Sequence, residues 1–431
     1  MKCHAIIIVL VLLMSLTIFS CNKQSLQIFK SKSARTQYLN TLEQSGIHLT
    51  KMGKEWQEAA NEALLSAAEL ELPIAIRGSF KSKSIEASAW KIQLEEGATI
   101  TILVHWQSQD SSQLIVDWLA GPEWEELKSD VSNNDSLRIE ADETGHYLLR
   151  IQPELLGQGN YQVQIYGTAT FAVFPVQGKS SLAVQSVWGD AREGGRRSHE
   201  GVDIFAARGT PVLAPVEGTV TSVRDKGLGG KQVWVRDRER NWNLYFAHLD
   251  SQLVNPLQRV QPGDTLGTVG NTGNARTTAP HLHFGIYRNG AINPFPAIRT
   301  DFKTPTPVPD REYALMMKVN VSSANLRNKP STSSEVVSRI DNNTPITIMG
   351  WTADWFQVRT AEGIIGFLYQ NLLSPLDTLD LDESIGQAYA KPSPFSGDSL
   401  LVELTNFKKI GDFEGFFMIT DMDGNIFYLS R

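Results

Sequence analysis

Residues 280–287 have the sequence PHLHFGIY, and this stretch decides the fold class of the region around it. Apolar and polar side chains alternate along it, which is the pattern of a β-strand with one buried face. The apolar set consists of Leu282, Phe284 and Ile286. The side chains of His281 and His283 therefore project together from the opposite face. Two imidazoles on one strand face can share a site.

A second histidine motif lies upstream, at residues 199–203 (HEGVD), where His199 and Asp203 stand four residues apart. Their β-branched neighbours Val202 and Ile204 favour an extended segment. Alternation along such a segment places His199 and Asp203 on one face and the two apolar side chains on the other. The motif therefore presents a nitrogen and a carboxylate ligand on the same side.

A third histidine, His248, follows two aromatic residues in the strand-like run 245–249 (YFAHL). Four of the eight histidines of the chain thus fall within residues 180–297. Hydrolytic zinc takes three protein ligands from His, Asp and Glu and keeps a fourth position for water, whose pKa it lowers. Imidazoles left unbound can transfer protons or stabilise an oxyanion. The spacing alone leaves open whether His281 or His283 is the third ligand.

These motifs, HxxxD, a distal histidine and HxH in this order, resemble the lysostaphin-like (LytM-type) zinc metallopeptidases, a family of peptidoglycan endopeptidases. Further matching segments surround them: 187–192 (VWGDAR), 209–214 (GTPVLA), 260–264 (VQPGD) and 270–273 (GNTG). The resemblance implies a β-barrel-like peptidase domain of the duplicated hybrid motif type over residues 180–297.

By position, the resemblance makes His199, Asp203 and His283 the Zn²⁺ ligands and gives His248 and His281 catalytic roles. It implies hydrolysis of the peptide cross-links of peptidoglycan, with the stem peptides as substrate. The sequence leaves open which bond is cut, D-alanyl to diamino acid or within a glycine bridge. The first, a D,D-endopeptidase activity, is expected because an outer-membrane lipoprotein would meet direct cross-links.

A second resemblance lies near the C-terminus, over residues 317–375. Three segments resemble the bacterial SH3-like small β-barrel: 324–331 (ANLRNKPS), 355–359 (WFQVR) and 363–368 (GIIGFL). In that family the barrel commonly targets an enzyme to the cell wall. The preceding residues 298–316 include TPTPVP, whose alternating prolines favour a semi-rigid polyproline II spacer. The tail, 376–431, is β-rich and admits a second, degenerate SH3-like barrel.

The region before the peptidase domain divides into two parts. Residues 21–75 are predicted to be a helical segment, since apolar residues recur at helical spacing to about residue 72, with turns at Gly46 and Gly53. Residues 76–178 change to period two and predict a β-sandwich-like module that serves as a spacer or positions substrate.

The N-terminus predicts export. Lys2 precedes the apolar run 5–20, which is long for the hydrophobic region of a signal peptide and short for a membrane span. The run ends in IFSC at residues 18–21, which resembles a bacterial lipobox, so residues 1–20 are expected to be a lipoprotein signal peptide. The alternative is a plain signal peptide or a weak transmembrane anchor in which the cysteine has no role. A lipid on Cys21 would anchor the exported chain in the cell envelope, at the outer membrane or in the periplasm of a Gram-negative cell.

Length and composition predict a folded, multidomain protein, and the strand patterns described above predict that it is mainly β. A chain of 431 residues is too long for one core, and its 41% hydrophobic content is typical of folded domains. The net charge of −7 argues against nucleic acid as a partner, and the oligomeric state stays open. Two alternatives remain: a non-catalytic wall-binding lipoprotein that activates another wall hydrolase, and a metallopeptidase acting on proteins.

Overall fold

The computed structural model describes residues 33–82, 84–132, 136–311, 313–376, 379–380, 385–389, 399–403, 406–413, 416–421 and 426–430. The predicted signal peptide 1–20 and Cys21 lie outside these described residues. Within them, no helix has the length and apolar character needed to cross a bilayer. The architecture is mainly β and multidomain, which confirms the fold class predicted from the sequence.

Two helices begin the described chain, α1 (Ala34–Gln44) and α2 (Lys51–Leu65), with a short 3-10 turn at Ile47–Leu49 between them. Both start at a hydroxyl cap. Ser33 accepts a hydrogen bond from the backbone N–H of the first turn of α1, and Thr50 does the same for α2. The caps satisfy backbone donors that the helix itself leaves unpaired.

The structure differs in two places from the helical segment predicted for residues 21–75. Gly53 does not form a turn; it lies inside α2, where a Cβ atom would come within 2.1 Å of the carbonyl oxygen of Ile47. The glycine is needed for this close approach. The helix also ends at Leu65 instead of near residue 72. Two strands begin before residue 76: β1 (Ala68–Leu70) and β2 (Ile74–Phe80).

The N-terminal module is a two-layer sandwich. Its further strands are β3 (Ser88–Leu94), β4 (Thr99–Ser108), β5 (Leu114–Ala120), β6 (Glu125–Val131), β7 (Ser136–Glu140), β8 (Gly145–Pro153) and β9 (Gly159–Thr168). One layer has the order β1-β3-β8-β5-β6, and the other contains β2-β9-β4-β7. Trp90 and Trp118 of the first layer share one core with Ile102 and Val163 of the second.

The predicted peptidase region packs a large sheet against a small one. Its elements are β10 (Val184–Ser186), β11 (Ala191–Arg192), β12 (Arg197–Ser198), β13 (Val202–Phe205), β14 (Pro211–Leu213), β15 (Gly218–Asp225), β16 (Lys231–Asp237), β17 (Trp242–Ala247), β18 (Leu249–Gln252), β19 (Arg259–Val260), β20 (Thr265–Val269), β21 (His281–Tyr287), β22 (Ala291–Ile292) and α3 (Phe295–Ile298).

The large sheet has eight strands in the order β10-β13-β21-β17-β16-β15-β19, with β22 paired to β21, and the small one has the order β14-β20-β18. Leu282, Phe284 and Ile286 on β21 are fully buried between the sheets. The alternation predicted for this strand is therefore confirmed, and its histidines lie on the other face.

The SH3-like domain continues the sheet of the sandwich. Its strands are β23 (Met316–Val319), β24 (Ser323–Arg327), β25 (Val336–Asp341), β26 (Pro345–Thr352), β27 (Trp355–Arg359), β28 (Ile365–Tyr369) and β29 (Leu373–Pro375). β26 pairs with β2, with Gly78 opposite Gly350. The buried indole of Trp90 also donates a 2.9 Å hydrogen bond to Gln357. The two domains thus share one eleven-stranded sheet.

Part of the proline-rich segment packs on the SH3-like barrel. Val308 is buried in the barrel core, and Trp351 Nε1 donates to the carbonyl of Pro309 at 3.1 Å. The segment therefore differs from a spacer that stands in solvent.

The tail forms a six-stranded sheet of β30 (Leu379–Asp380), β31 (Ile385–Tyr389), β32 (Ser399–Glu403), β33 (Phe407–Phe413), β34 (Phe416–Asp421) and β35 (Ile426–Ser430). A second SH3-like barrel here stays a prediction.

Candidate metal centre

Pairing between β13 and β21 brings the first two candidate ligands together. Asp203 on β13 lies directly opposite His283 on β21 in the antiparallel register. Val202 and Ile204, on either side of Asp203, are fully buried in the core, so alternation turns the carboxylate to the other face. His199 lies in the segment between β12 and β13 and is also buried.

Three donor atoms form a nearly equilateral triangle. Nε2 of His199 and Nδ1 of His283 each lie 3.1 Å from Oδ1 of Asp203, and the two nitrogens are 3.0 Å apart. Ligand atoms around a tetrahedral zinc with bonds of about 2.0–2.1 Å are separated by roughly 3.3 Å. The residues present therefore fit a small divalent metal ion, and these three side chains form a candidate metal site within the described part of the chain.

His281 lies beside the triangle. Its Nε2 is 3.9 Å from Oδ1 of Asp203, whereas Nδ1 of His283 is 3.1 Å from the same oxygen. The ring centroid of His248 lies 5.1 Å from that of His281 and 5.8 Å from that of His283. The structure thus brings all five predicted site residues together, three as a compact triangle and two at its edge.

Backbone carbonyls determine the tautomers of three of these imidazoles. Nδ1 of His199 lies 2.9 Å from the carbonyl oxygen of Val187, Nδ1 of His281 lies 2.8 Å from that of Ala279, and Nδ1 of His248 lies 2.9 Å from that of Thr272. A carbonyl oxygen only accepts, so each Nδ1 carries the proton and donates it. Each Nε2 keeps its lone pair for a metal or a proton.

The backbone is bent at His248. Its φ of 63° lies in the left-handed region, which non-glycine residues rarely adopt. The bend separates β17 from β18, and the N–H of His248 donates to the carbonyl of Gly229 at 2.9 Å. Residues held in this way concentrate at functional sites, where the surrounding structure enforces the conformation.

Burial and neighbouring groups set the charge of the site. Burial alone would raise the pKa of the Asp203 carboxyl, but the neighbouring imidazoles of His199 and His283 hold it well below its usual range. Burial, reinforced by the charges of His283 and His281, lowers the pKa of His248 to about 4. Burial also lowers the pKa of His283. Near neutral pH Asp203 is thus a carboxylate and His283 a neutral imidazole, the protonation states that bind metals.

The triangle opens on a cavity of about 270 Å³. Besides the site residues, its walls include Arg192, Leu228, Tyr245, Asn274, Thr278 and Tyr287. Two loops meet at one wall, where a Cβ atom at Gly230 would lie 2.4 Å from the backbone nitrogen of Gly273. Gly230, which also has a φ of +59°, therefore allows the two backbones to touch.

Comparison with known families decides the identity of the two regions. Residues 197–294 match peptidase family M23, and residues 322–374 match the bacterial SH3 domain. The chain contains an M23 peptidase domain. Both resemblances predicted from the sequence, the LytM-type peptidase and the SH3-like barrel, are confirmed.

Known relatives share parts of the chain. It is 38% identical over 139 residues to an L-Ala–D-Glu endopeptidase of Bacillus subtilis, covering 29% of this chain and 42% of that protein. It is 36% identical over 94 residues to the peptidoglycan DD-endopeptidase ShyC of Vibrio cholerae, covering 22% of this chain and 21% of the relative. The solved catalytic domain of lysostaphin from Staphylococcus simulans is 30% identical, with a TM-score of 0.24. The match covers 26% of this chain and 88% of that chain. The chain thus spans less than half the length of these two curated relatives.

Gly201 of the M23 domain lies directly against the imidazole of a candidate ligand, His283. A Cβ atom at this position would lie 2.7 Å from Cε1 of His283 and equally close to the carbonyl oxygen of Phe284. Any side chain would therefore displace the imidazole or the strand that carries it. The glycine of HEGVD makes room for a candidate ligand.

Two kinds of contact around the site could not be found by sequence reasoning. Arg192 Nη2 donates a 2.6 Å hydrogen bond to Oδ2 of Asp203, and the carbonyls that orient the imidazoles belong to the backbone. Arg192 does end the matched segment VWGDAR, but spacing does not show which cation of that region reaches the carboxylate. Backbone carbonyls leave no signal in the residue types at all.

Proposed function

We propose that the chain is a zinc-dependent endopeptidase that hydrolyses the peptide cross-links of peptidoglycan, as a D,D-endopeptidase of the cell envelope. The observation that carries the proposal is the triangle of His199, Asp203 and His283, open to a cavity and flanked by two more imidazoles. The M23 match of residues 197–294 supports the same activity.

Zinc fits the donor set better than a hard cation does. Two imidazole nitrogens and one carboxylate oxygen are typical of catalytic zinc, whereas magnesium and calcium prefer oxygen ligands. Nε2 of His199, Oδ1 of Asp203 and Nδ1 of His283 would hold the ion. When bound, zinc supplies Lewis acidity, which polarises a carbonyl group and lowers the pKa of water.

His248 and His281 supply proton transfer. Both present an unprotonated Nε2, because the Nδ1 proton of each is held by a backbone carbonyl. One takes the proton of the attacking water as general base. The other, once protonated, donates a hydrogen bond to the oxyanion or a proton to the leaving amine.

The substrate proposal has two supports. The named activities of the two curated relatives are an L-Ala–D-Glu endopeptidase and a peptidoglycan DD-endopeptidase. The predicted export signal and the lipid on Cys21 would hold this chain at the envelope, where direct cross-links are the accessible bonds. The SH3 domain of residues 322–374 is proposed to contribute wall binding.

Digestion of purified peptidoglycan tests the proposal. The purified protein is incubated with cross-linked peptidoglycan, with and without a chelator, and the released fragments are identified by mass. We expect cross-linked dimers to become monomers cut at the D-alanyl bond, and the chelator to stop the reaction until zinc is restored. Intact dimers together with no stoichiometric zinc would favour the alternative, a non-catalytic activator of another wall hydrolase. Cleavage between L-Ala and D-Glu would change the bond assigned here.

A further inference from the structure

The two oxygens of the Asp203 carboxylate have different partners. Oδ1 lies 3.1 Å from Nε2 of His199 and from Nδ1 of His283, so it forms the corner of the metal triangle. Oδ2 points away and accepts a 2.6 Å hydrogen bond from Nη2 of Arg192. Only one oxygen is therefore presented to the metal position.

Arg192 is itself held in place by polar groups. The same Nη2 donates to Oγ of Ser186 at 2.7 Å. That hydroxyl donates to Oδ2 of Asp190 at 2.8 Å, and the carboxylate also accepts from the N–H of Val187 at 2.9 Å. The guanidinium thus ends a chain of hydrogen bonds that leads from the backbone to the candidate ligand.

This series of hydrogen bonds also reaches a second candidate ligand. Oγ of Ser186 lies 3.3 Å from Nδ1 of His199. Arg192 lies on β11, which pairs with β12, the strand directly before His199. The hairpin therefore orients one ligand through its backbone and another through its arginine.

We propose that Arg192 is a positioning residue of the metal site, which holds Oδ2 of Asp203 so that Oδ1 alone is offered to the ion. A guanidinium suits this role because it stays protonated and cannot bind a metal. Groups that orient metal ligands in this way typically contribute 10–100-fold to metal affinity. The inference rests on the proposed zinc site and goes beyond its three ligands.

Zinc affinity tests the role without relying on activity. The metal-free full chain is titrated with zinc against a chromophoric competitor chelator, as wild type and as Arg192→Ala, Arg192→Lys and Arg196→Ala. We expect Arg192→Ala to weaken zinc binding about 10–100-fold, and Arg192→Lys to lie between it and the wild type, because an ammonium keeps the charge but not the fork geometry. Arg196→Ala, the matched control, removes the same charge from the same hairpin and should bind zinc as the wild type does.

A second readout separates positioning from substrate binding. Arg192 lines the cavity, so its loss could instead raise KM. Zinc affinity that is unchanged in both Arg192 variants, with or without a rise in KM at saturating zinc, would overturn the positioning role alone. A wild-type chain that binds no zinc would overturn both this inference and the proposed function. Circular dichroism of each metal-free variant checks folding, and Arg192→Lys keeps the test decisive if the alanine variant does not fold.

Discussion

Two buried carboxylates of this chain lie among nitrogen bases, yet they have different chemistry. Asp203 belongs to the cluster described above, with His199, His283 and Arg192. Asp117, on β5 of the sandwich, is fully buried and forms a second cluster with Arg35 and its neighbours. We call these the Asp203 cluster and the Asp117 cluster.

The Asp117 cluster ties the helices to the sandwich. Oδ2 of Asp117 accepts from Nε of Arg35 at 2.7 Å and from Nε of Arg150 at 2.8 Å. Arg35 also donates to the side-chain oxygen of Gln152, whose amide donates in turn to the carbonyl of Trp56 on α2. The cluster therefore connects α1, α2 and two strands of one sheet.

The difference between the clusters lies in the partners of the carboxylate. Guanidinium groups remain protonated and can only donate, so the bases of the Asp117 cluster form ion pairs and cannot bind a metal. Imidazoles can lose a proton and offer a lone pair, and the Asp203 cluster faces a cavity. A buried carboxylate among bases thus indicates a metal site only where those bases can become ligands.

The largest effect should come from removing a ligand. His283→Ala takes one of three donors from the triangle, so we expect loss of stoichiometric zinc and a loss of hydrolysis of at least about 1,000-fold, or about 4 kcal/mol in the activation barrier. Metal analysis of the purified protein and fragment release from peptidoglycan measure the two effects. Asp117→Ala, in contrast, should keep its zinc. A full zinc equivalent in His283→Ala would contradict the ligand assignment.

Removing a flanking imidazole should separate binding from catalysis. His281→Ala leaves the triangle intact, so we expect zinc to remain bound while turnover falls about 10²–10⁴-fold, the usual contribution of a general acid or base. His105→Ala, on an exposed position of β4, serves as the matched control and should change neither quantity. Equal zinc loss in His281→Ala and His283→Ala would overturn the division of roles between them.

The Asp117 cluster should show the opposite behaviour. Asp117→Ala leaves two buried guanidiniums without their shared carboxylate, and we expect the free energy of unfolding to fall by about 3–5 kcal/mol. Denaturant unfolding followed by circular dichroism measures the change, and zinc content should stay the same. Asp130→Ala, on an exposed position of the neighbouring strand β6, should change stability by less than about 0.5 kcal/mol. A stable Asp117→Ala variant would show that this cluster does not hold the helices to the sheet.

Sequence reasoning found the Asp203 cluster because its parts lie in short, periodic motifs. Alternation in PHLHFGIY placed His281 and His283 on one face, and HEGVD supplied a carboxylate at a spacing that strands preserve. Alternation could not choose between the two histidines, because both project from the same face; the family resemblance made that choice. The distances within the structure, 3.1 Å for His283 and 3.9 Å for His281, supply the physical difference.

The Asp117 cluster left no such signal. Arg35, Asp117 and Arg150 come from a helix and two strands that are far apart along the chain, and each residue type is common on protein surfaces. The sheet shared by the sandwich and the SH3-like domain could not be predicted either. Gly78 and Gly350, which pair within it, are separated in the sequence by the whole M23 domain. Local periodicity predicts which face of an element is buried, but it does not predict which distant element covers that face.

The smallest expected effect compares one serine in each cluster. Oγ of Ser129 accepts a 3.0 Å hydrogen bond from the N–H of Arg35 in the first turn of α1, while Oγ of Ser186 accepts from Arg192. Ser129→Ala should lower the free energy of unfolding by about 1 kcal/mol and leave zinc affinity unchanged. Ser186→Ala removes a bond of similar strength from the arginine that holds Asp203, so we expect zinc to bind roughly fivefold more weakly with little change in stability. The same denaturant and chelator-competition measurements cover both variants. If Ser186→Ala destabilised the fold and bound zinc normally, the hydrogen bonds around Arg192 would be structural like those around Arg35. The contrast between the two clusters would then be confined to the imidazoles of the Asp203 cluster.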